Sequence, residues 1–142
     1  MTDDSIFLID TNMLVYAHDQ ADKNKHEISK SIIKERLLEG TIAISSQNLS
    51  EFFSVVTRKK ILEKQDAIKV ISDIIEVSSW AKIDFTHKTV LEAAKISEQY
   101  SMHYWDSLLA ATMKQNSILN LYTENARDFK IPWLNVVNPF EV

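Results

Sequence analysis

The chain is predicted to fold as an α/β domain around a central, mainly parallel sheet of four to five short strands. Short apolar runs, Ile6 to Ile9 foremost, alternate with longer segments whose apolar residues recur at helical spacing. Those helical segments supply the crossovers that parallel strands require. A length of 142 residues with 45% hydrophobic content suits one domain with a substantial core, and no linker, low-complexity stretch or repeat interrupts it, so a single domain is expected over residues 1–142.

Ile6 to Ile9 reads as a buried strand that stops at Asp10. Thr11 to His18 reads as a short helix, and Asp19 to Lys25 is polar and turn-like. From His26 to Glu39 the residues Ile28, Ile32, Ile33 and Leu37 keep helical spacing, and Gly40 fits a helix C-cap. Thr41 to Ile44 suits a strand. Ser45 and Ser46 lead into a helix carrying Leu49, Phe52, Phe53 and Val56. Gln65 to Val77 repeats the helical pattern through Ile68, Ile71, Ile74 and Ile75. Trp80 to Asp84 suits a strand, and Thr86 can cap a helix holding Val90, Ala93, Ala94 and Ser97. A helix over Trp105 to Gln115 and a strand over Leu119 to Thr123 follow. After Pro132, Trp133 to Val137 is the last strand candidate.

Composition excludes several chemistries. There is no cysteine, hence no disulfide framework, thiolate metal site or cysteine nucleophile, which suits a cytoplasmic protein. With Gly40 as its single glycine, the chain cannot build the glycine-rich loops that cradle phosphates in Walker-type and dinucleotide-binding proteins. Phosphates would have to be met by metal ions, basic side chains or helix N-termini. Met1 to Ser5 is polar and acidic, unlike a secretory signal, and the longest apolar run is far short of a membrane span, so no membrane role is expected. The net charge of −4 argues against nonspecific nucleic-acid coating but not against a nuclease, because bound metals reverse the local sign of clustered acids.

Three acids stand out. Asp10 ends the first strand, where ligands bind in open α/β sheets. Glu51 lies in Asn48-Leu49-Ser50-Glu51-Phe52-Phe53. Asp106 lies in Tyr104-Trp105-Asp106-Ser107-Leu108, on the helix face of Leu109 and Ala110. A carboxylate on an apolar stripe is costly unless compensated, and a cation would compensate it. Each acid also has a structural explanation. Asp10 is a favoured N-cap, Asn48 and Glu51 have the spacing of a capping-box variant, and Asp106 suits a helix dipole. Spacing alone does not bring the three together.

The set resembles the PIN-domain family, particularly its VapC-type ribonuclease toxins. Asp10-Thr11-Asn12 after a strand, with Leu14 and Ala17 following, matches the family's opening motif. Ser50-Glu51-Phe52-Phe53 matches the second, Tyr104-x-Asp106-x-Leu108 the third, and Asn138-Pro139-Phe140 the close of the chain. The resemblance covers nearly the full length, and four motifs in order are fairly specific. It departs at the fourth acid. Thr123-Glu124-Asn125 stands where Ser/Thr-x-Asp is usual, so Asn125, an uncharged amide, occupies the acid's place. Glu124 or Asp128 could take that role, while Asp128 beside Arg127 also reads as a surface or capping residue.

The resemblance implies a PIN-like three-layer α/β/α domain and metal-dependent hydrolysis of RNA phosphodiesters. Oxygen ligands favour Mg²⁺ or Mn²⁺. Asp10 and Asp106 would be the main ligands and Glu51 would complete the cluster, with Asp128 a further metal candidate. Asn12, Thr123 and Asn125 would support them through hydrogen bonds. Arg58, Lys59 and Lys60 form the densest basic cluster and could bind RNA phosphate, though such runs also suit solvated helix ends. Lys23, Lys25, Lys30 and Lys34 invite the same reading. Trp105 could stack on a base, but beside an apolar helix it is expected in the core. His18, His26, His87 and His103 show no metal-binding spacing. A toxin of this kind implies a homodimer and a cognate antitoxin. The alternatives are an RNA-processing PIN nuclease and a catalytically silent PIN-like binding module. A haloacid-dehalogenase phosphatase also opens with a strand and an Asp, but its second Asp falls where Asn12 stands.

Overall fold

A computed structural model describes residues 5–141. Of the polar segment Met1 to Ser5, only Ser5 lies within them. Among the described residues the elements run β1 (Phe7–Ile9), α1 (Thr11–His18), α2 (Lys23–Glu39), β2 (Ile42–Ser45), α3 (Ser46–Arg58), α4 (Lys64–Glu76), β3 (Trp80–Ile83), α5 (His87–Tyr100), α6 (Tyr104–Gln115), β4 (Asn120–Tyr122) and β5 (Asn135–Val137), with a 3₁₀ turn at Ala126–Asp128.

The strands form one sheet in the order β3-β2-β1-β4-β5, and all four pairings are parallel. Alternation along each strand divides the core between the two faces. Leu8, Ala43 and Leu121 pack with residues of α5 and α6, including Ala93, Ile96 and Leu108 to Ala111. Ile9, Ile42 and Ile44 face the other way, against Met13 and Leu14 of α1, Phe52 and Val56 of α3, and Ala67 and Ile74 of α4. Helices thus cover both faces in three layers, as the α/β reading requires.

Gly40 caps α2 in the left-handed region, at φ 69°. The expected polar turn from Asp19 to Lys25 is shorter than read. The α2 helix begins at Lys23, because Asp22 accepts the Lys25 N–H as its N-cap. Lys23, Asn24 and Lys25 hold no apolar residue to betray that turn. Strands are also trimmed: Leu119, Thr123, Trp133 and Asp84 fall outside the ladders. Ser45 closes β2 and caps α3 at once.

Candidate active site

Asp10 follows directly on β1. Its Oδ1 accepts the Thr11 N–H at 2.8 Å, so it does cap α1. It also faces a cleft of about 370 Å³ at the C-terminal ends of the strands. The cleft lies where β1 meets β4 and the connections turn to opposite sides of the sheet, the usual place for a ligand in such folds. Glu51 from the second turn of α3 and Asp106 from the first turn of α6 line the same cleft. The fold therefore brings together the three acids that the motifs single out.

Asp10 is held from two further sides. Thr123, fully buried after β4, donates its hydroxyl to Asp10 Oδ2 at 2.8 Å. The Asn48 amide, fully buried, reaches Asp10 Oδ1 at 3.3 Å and Thr11 Oγ1 at 3.1 Å. Asn12 in turn donates to Thr123 Oγ1 at 3.3 Å. Thr123 and Asn12 thus stand behind Asp10. Asn125 presents only its backbone to this network, its N–H meeting Thr123 Oγ1 at 3.1 Å.

All three acids are pushed above the ordinary carboxylate range. For Asp10 the cause is burial, partly offset by its hydrogen bonds from Thr123, Thr11 and Asn48. Glu51 is exposed as a residue, yet its carboxyl group is raised by desolvation and then by the Asp10 charge. Asp106 is pushed up to about 6 by burial, then by Asp10 and Asp128, with His103 pulling the other way. Like charges converge on one cleft, and the Asp10 charge makes both Glu51 and Asp106 harder to ionise.

The donor set suits a hard divalent cation in kind: carboxylate oxygens only, repelling one another, on a shared wall. Among the described residues no three His, Asp or Glu side chains are already drawn in to ligating separation. Closing on an ion would therefore fall to the longer Glu51 and to Asp106, because both Asp10 oxygens are fixed by hydrogen bonds.

Other predicted residues scatter. Lys59 lines the cleft, whereas Arg58 faces the neighbouring groove and Lys60, at φ 57°, turns away. Asp128 is exposed and does not line the cleft, although its charge reaches Asp106. Glu124 lines the cleft but is engaged by Lys25 and by the Tyr16 hydroxyl. The capping box of α3 pairs Ser45 with Asn48, one turn before the Asn48–Glu51 spacing, so it leaves Glu51 uninvolved. Trp105 is not in the core. It is 57% exposed and borders the cleft beside Asp106, because α6 sinks into the core only from Ser107 onward.

Sequence reasoning missed Gln47 and Tyr16. Gln47 donates to the Trp105 carbonyl at 2.9 Å and so joins α3 to α6, while its Oε1 is buried without a hydrogen-bond partner. A polar residue in a helix's first turn carries no sign of such burial. Tyr16 joins the site through Glu124, 108 positions away.

The PIN domain family model matches residues 7–132. The solved structure of VapBC2 from Rickettsia felis, bound to a DNA fragment from its promoter, is 26% identical with a TM-score of 0.68, over 94% of this chain and 98% of that one. DNA-bound VapBC from Salmonella typhimurium is 19% identical with a TM-score of 0.70, over 98% and 99%. VapC20 from Mycobacterium tuberculosis, a toxin that cleaves the sarcin–ricin loop, is 13% identical with a TM-score of 0.69, over 84% and 91%. No curated protein matches by sequence.

Proposed function

This chain belongs to the PIN domain family, and from that premise we propose that it is a metal-dependent endoribonuclease, the toxin of a type II toxin–antitoxin pair. The observation that carries the reading is the convergence of Asp10, Glu51 and Asp106, from three separate elements, on one cleft at the strand ends. Similarity in fold to VapBC complexes supports the toxin assignment and a cognate antitoxin as partner. A homodimer and a cytoplasmic location belong to the same reading.

Asp10, Glu51 and Asp106 would hold Mg²⁺ or Mn²⁺. Such an ion, when bound, supplies an activated water and neutralises charge on the scissile phosphodiester. The chain's own groups do the positioning. Thr123, Asn48 and the Thr11 N–H fix both oxygens of Asp10, and Asn12 steadies Thr123. Lys59 offers an ammonium at the cleft wall to an RNA phosphate. Trp105 offers an exposed ring beside Asp106 on which a base can stack. RNA incubated with purified protein and Mn²⁺ should be cut. Asp10→Ala and Asp106→Ala should each reduce cleavage by roughly 100-fold or more while melting cooperatively. Undiminished metal-dependent cleavage by both variants would overturn the assignment.

The neutral Asn125 and the open spacing of the acids favour one rival, a silent PIN-like binding module. That rival predicts no uptake of Mn²⁺ at the three acids.

A further inference from the structure

Resting on the metal-hydrolysis reading, we propose that Lys25 is a built-in cation that acts on the cleft through Glu124. Its ammonium neutralises Glu124 where a second divalent ion would otherwise be held, so the site takes up one divalent cation per chain.

Glu124 lines the same cleft as Asp10, Glu51 and Asp106. It lies beside Asn125, the neutral residue at the place of the fourth acid. It is thus a cleft carboxylate beyond the three acids that a second ion could use, and both its oxygens are occupied. Oε1 accepts from the Lys25 ammonium, and Oε2 accepts the Tyr16 hydroxyl at 2.7 Å. Asp19, also on the cleft wall, turns Oδ1 to the Ala21 N–H at 3.1 Å.

Lys25 is itself caged. Its Nζ stands 3.4 Å from the Tyr16 hydroxyl, 5.1 Å from the centre of the Tyr16 ring and 5.7 Å from that of Phe140. The Lys25 and Glu124 side chains are only 30% and 28% exposed. The cage is built from both ends of the chain. Asn138 donates to the Glu124 carbonyl at 3.1 Å, and its own Oδ1 accepts the Phe140 N–H at 2.9 Å. The Asn-Pro-Phe motif thereby seats the Phe140 ring beside the ammonium.

The pair also connects to the proposed metal ligands. The Glu124 N–H donates to Asn12 Oδ1 at 3.3 Å, Asn12 donates to Thr123, and Thr123 donates to Asp10. Lys25 thus stands as a fixed charge on the side chain of the residue that starts this relay. A lysine ammonium is a compact point charge that can meet a carboxylate as a small cation does, but it cannot activate water as a metal does.

The test is a count of bound Mn²⁺ on the full, metal-stripped chain, by calorimetric titration and by loss of the free-ion paramagnetic resonance signal. The wild type should bind one ion per chain. Lys25→Met, shown folded by its melt, should bind two. Lys25→Met with Glu124→Gln should return to one, and Lys25→Arg should stay at one. Should Lys25→Met not fold, Lys25→Gln makes the same comparison. Two ions in the wild type with metal-dependent cleavage intact would overturn this proposal and leave the nuclease reading standing. An unchanged count in the folded, uncharged variant would do the same. No bound ion in the wild type would overturn both.

Discussion

The Asp106 carboxyl sits at about 6 in the fold against an ordinary 3.8, raised first by burial and then by Asp10 and Asp128. The folded chain therefore holds this proton more tightly than the unfolded chain does. Between those two values the folded state binds more protons, so stability falls as pH rises and reaches its low plateau above about 6. The full shift would cost about 3 kcal/mol at neutral pH, and screening of a half-exposed group leaves about 1 kcal/mol. Asp106→Asn should accordingly stabilise the metal-free protein by about 1 kcal/mol at neutral pH, as read by urea unfolding. The gain should shrink as the pH falls below about 6 and be gone below the ordinary value of 3.8. A gain that persists in acid would show that charge is not its source. At this scale the sequence was legible where chemistry and motif coincide, as at Asp10, Glu51 and Asp106. It misled at Trp105, whose apolar neighbours suggest a core that begins only at Ser107. It offered Lys25 only as one of several lysines for RNA phosphate or a solvated face, whereas Tyr16, Glu124 and Phe140 surround it.

At the level of elements, the start of α3 does two jobs. Asn48 completes the capping box with Ser45, and its amide also holds Asp10 and Thr11 across the gap to α1. Asn48→Ala removes the cap, worth about 1 kcal/mol, and strands buried partners at a further cost of about 1–2 kcal/mol. The variant should lose about 2–3 kcal/mol of unfolding free energy in urea. Its bound Mn²⁺ should also weaken, because Asp10 loses a fixed donor. Asn48→Asp should unfold still more easily at neutral pH and recover in acid, because it sets a second carboxylate against Asp10. Helices with an apolar stripe were readable to within a residue or two, since burial imposes their period. The first turn of α2 was not, because its helicity rests on the Asp22 cap and on polar residues without an apolar period. The Ser45–Asn48 box was hidden for a related reason: Ser45 belongs to a strand and a cap together, and the Asn48–Glu51 spacing offered a decoy.

Across the whole molecule, the parallel sheet gathers residues far apart in sequence at the C-terminal ends of its strands. Asp10 follows β1 and Thr123 follows β4, on either side of the point where the chain changes direction across the sheet. The alternation of strands and helices made this architecture legible, but the register that sets Thr123 against Asp10 depends on pairing over 113 positions. The topology leaves like charge concentrated at the strand ends while Leu8, Ile9 and Leu121 behind it are fully buried. A cation bound there stabilises the folded chain alone. At an ion concentration about one hundred times its Kd the gain is about 2.7 kcal/mol. For a domain of this size that raises the melting temperature by roughly 5–10 °C. Mn²⁺ should produce such a rise at neutral pH, chelator should reverse it, and the rise should shrink below pH of about 6, as Asp106 takes up its proton. Asp106→Asn should show the opposite balance, with a higher melting temperature than the wild type in chelator and little further rise in Mn²⁺. An equal Mn²⁺ response in both proteins would place the ion away from the strand ends.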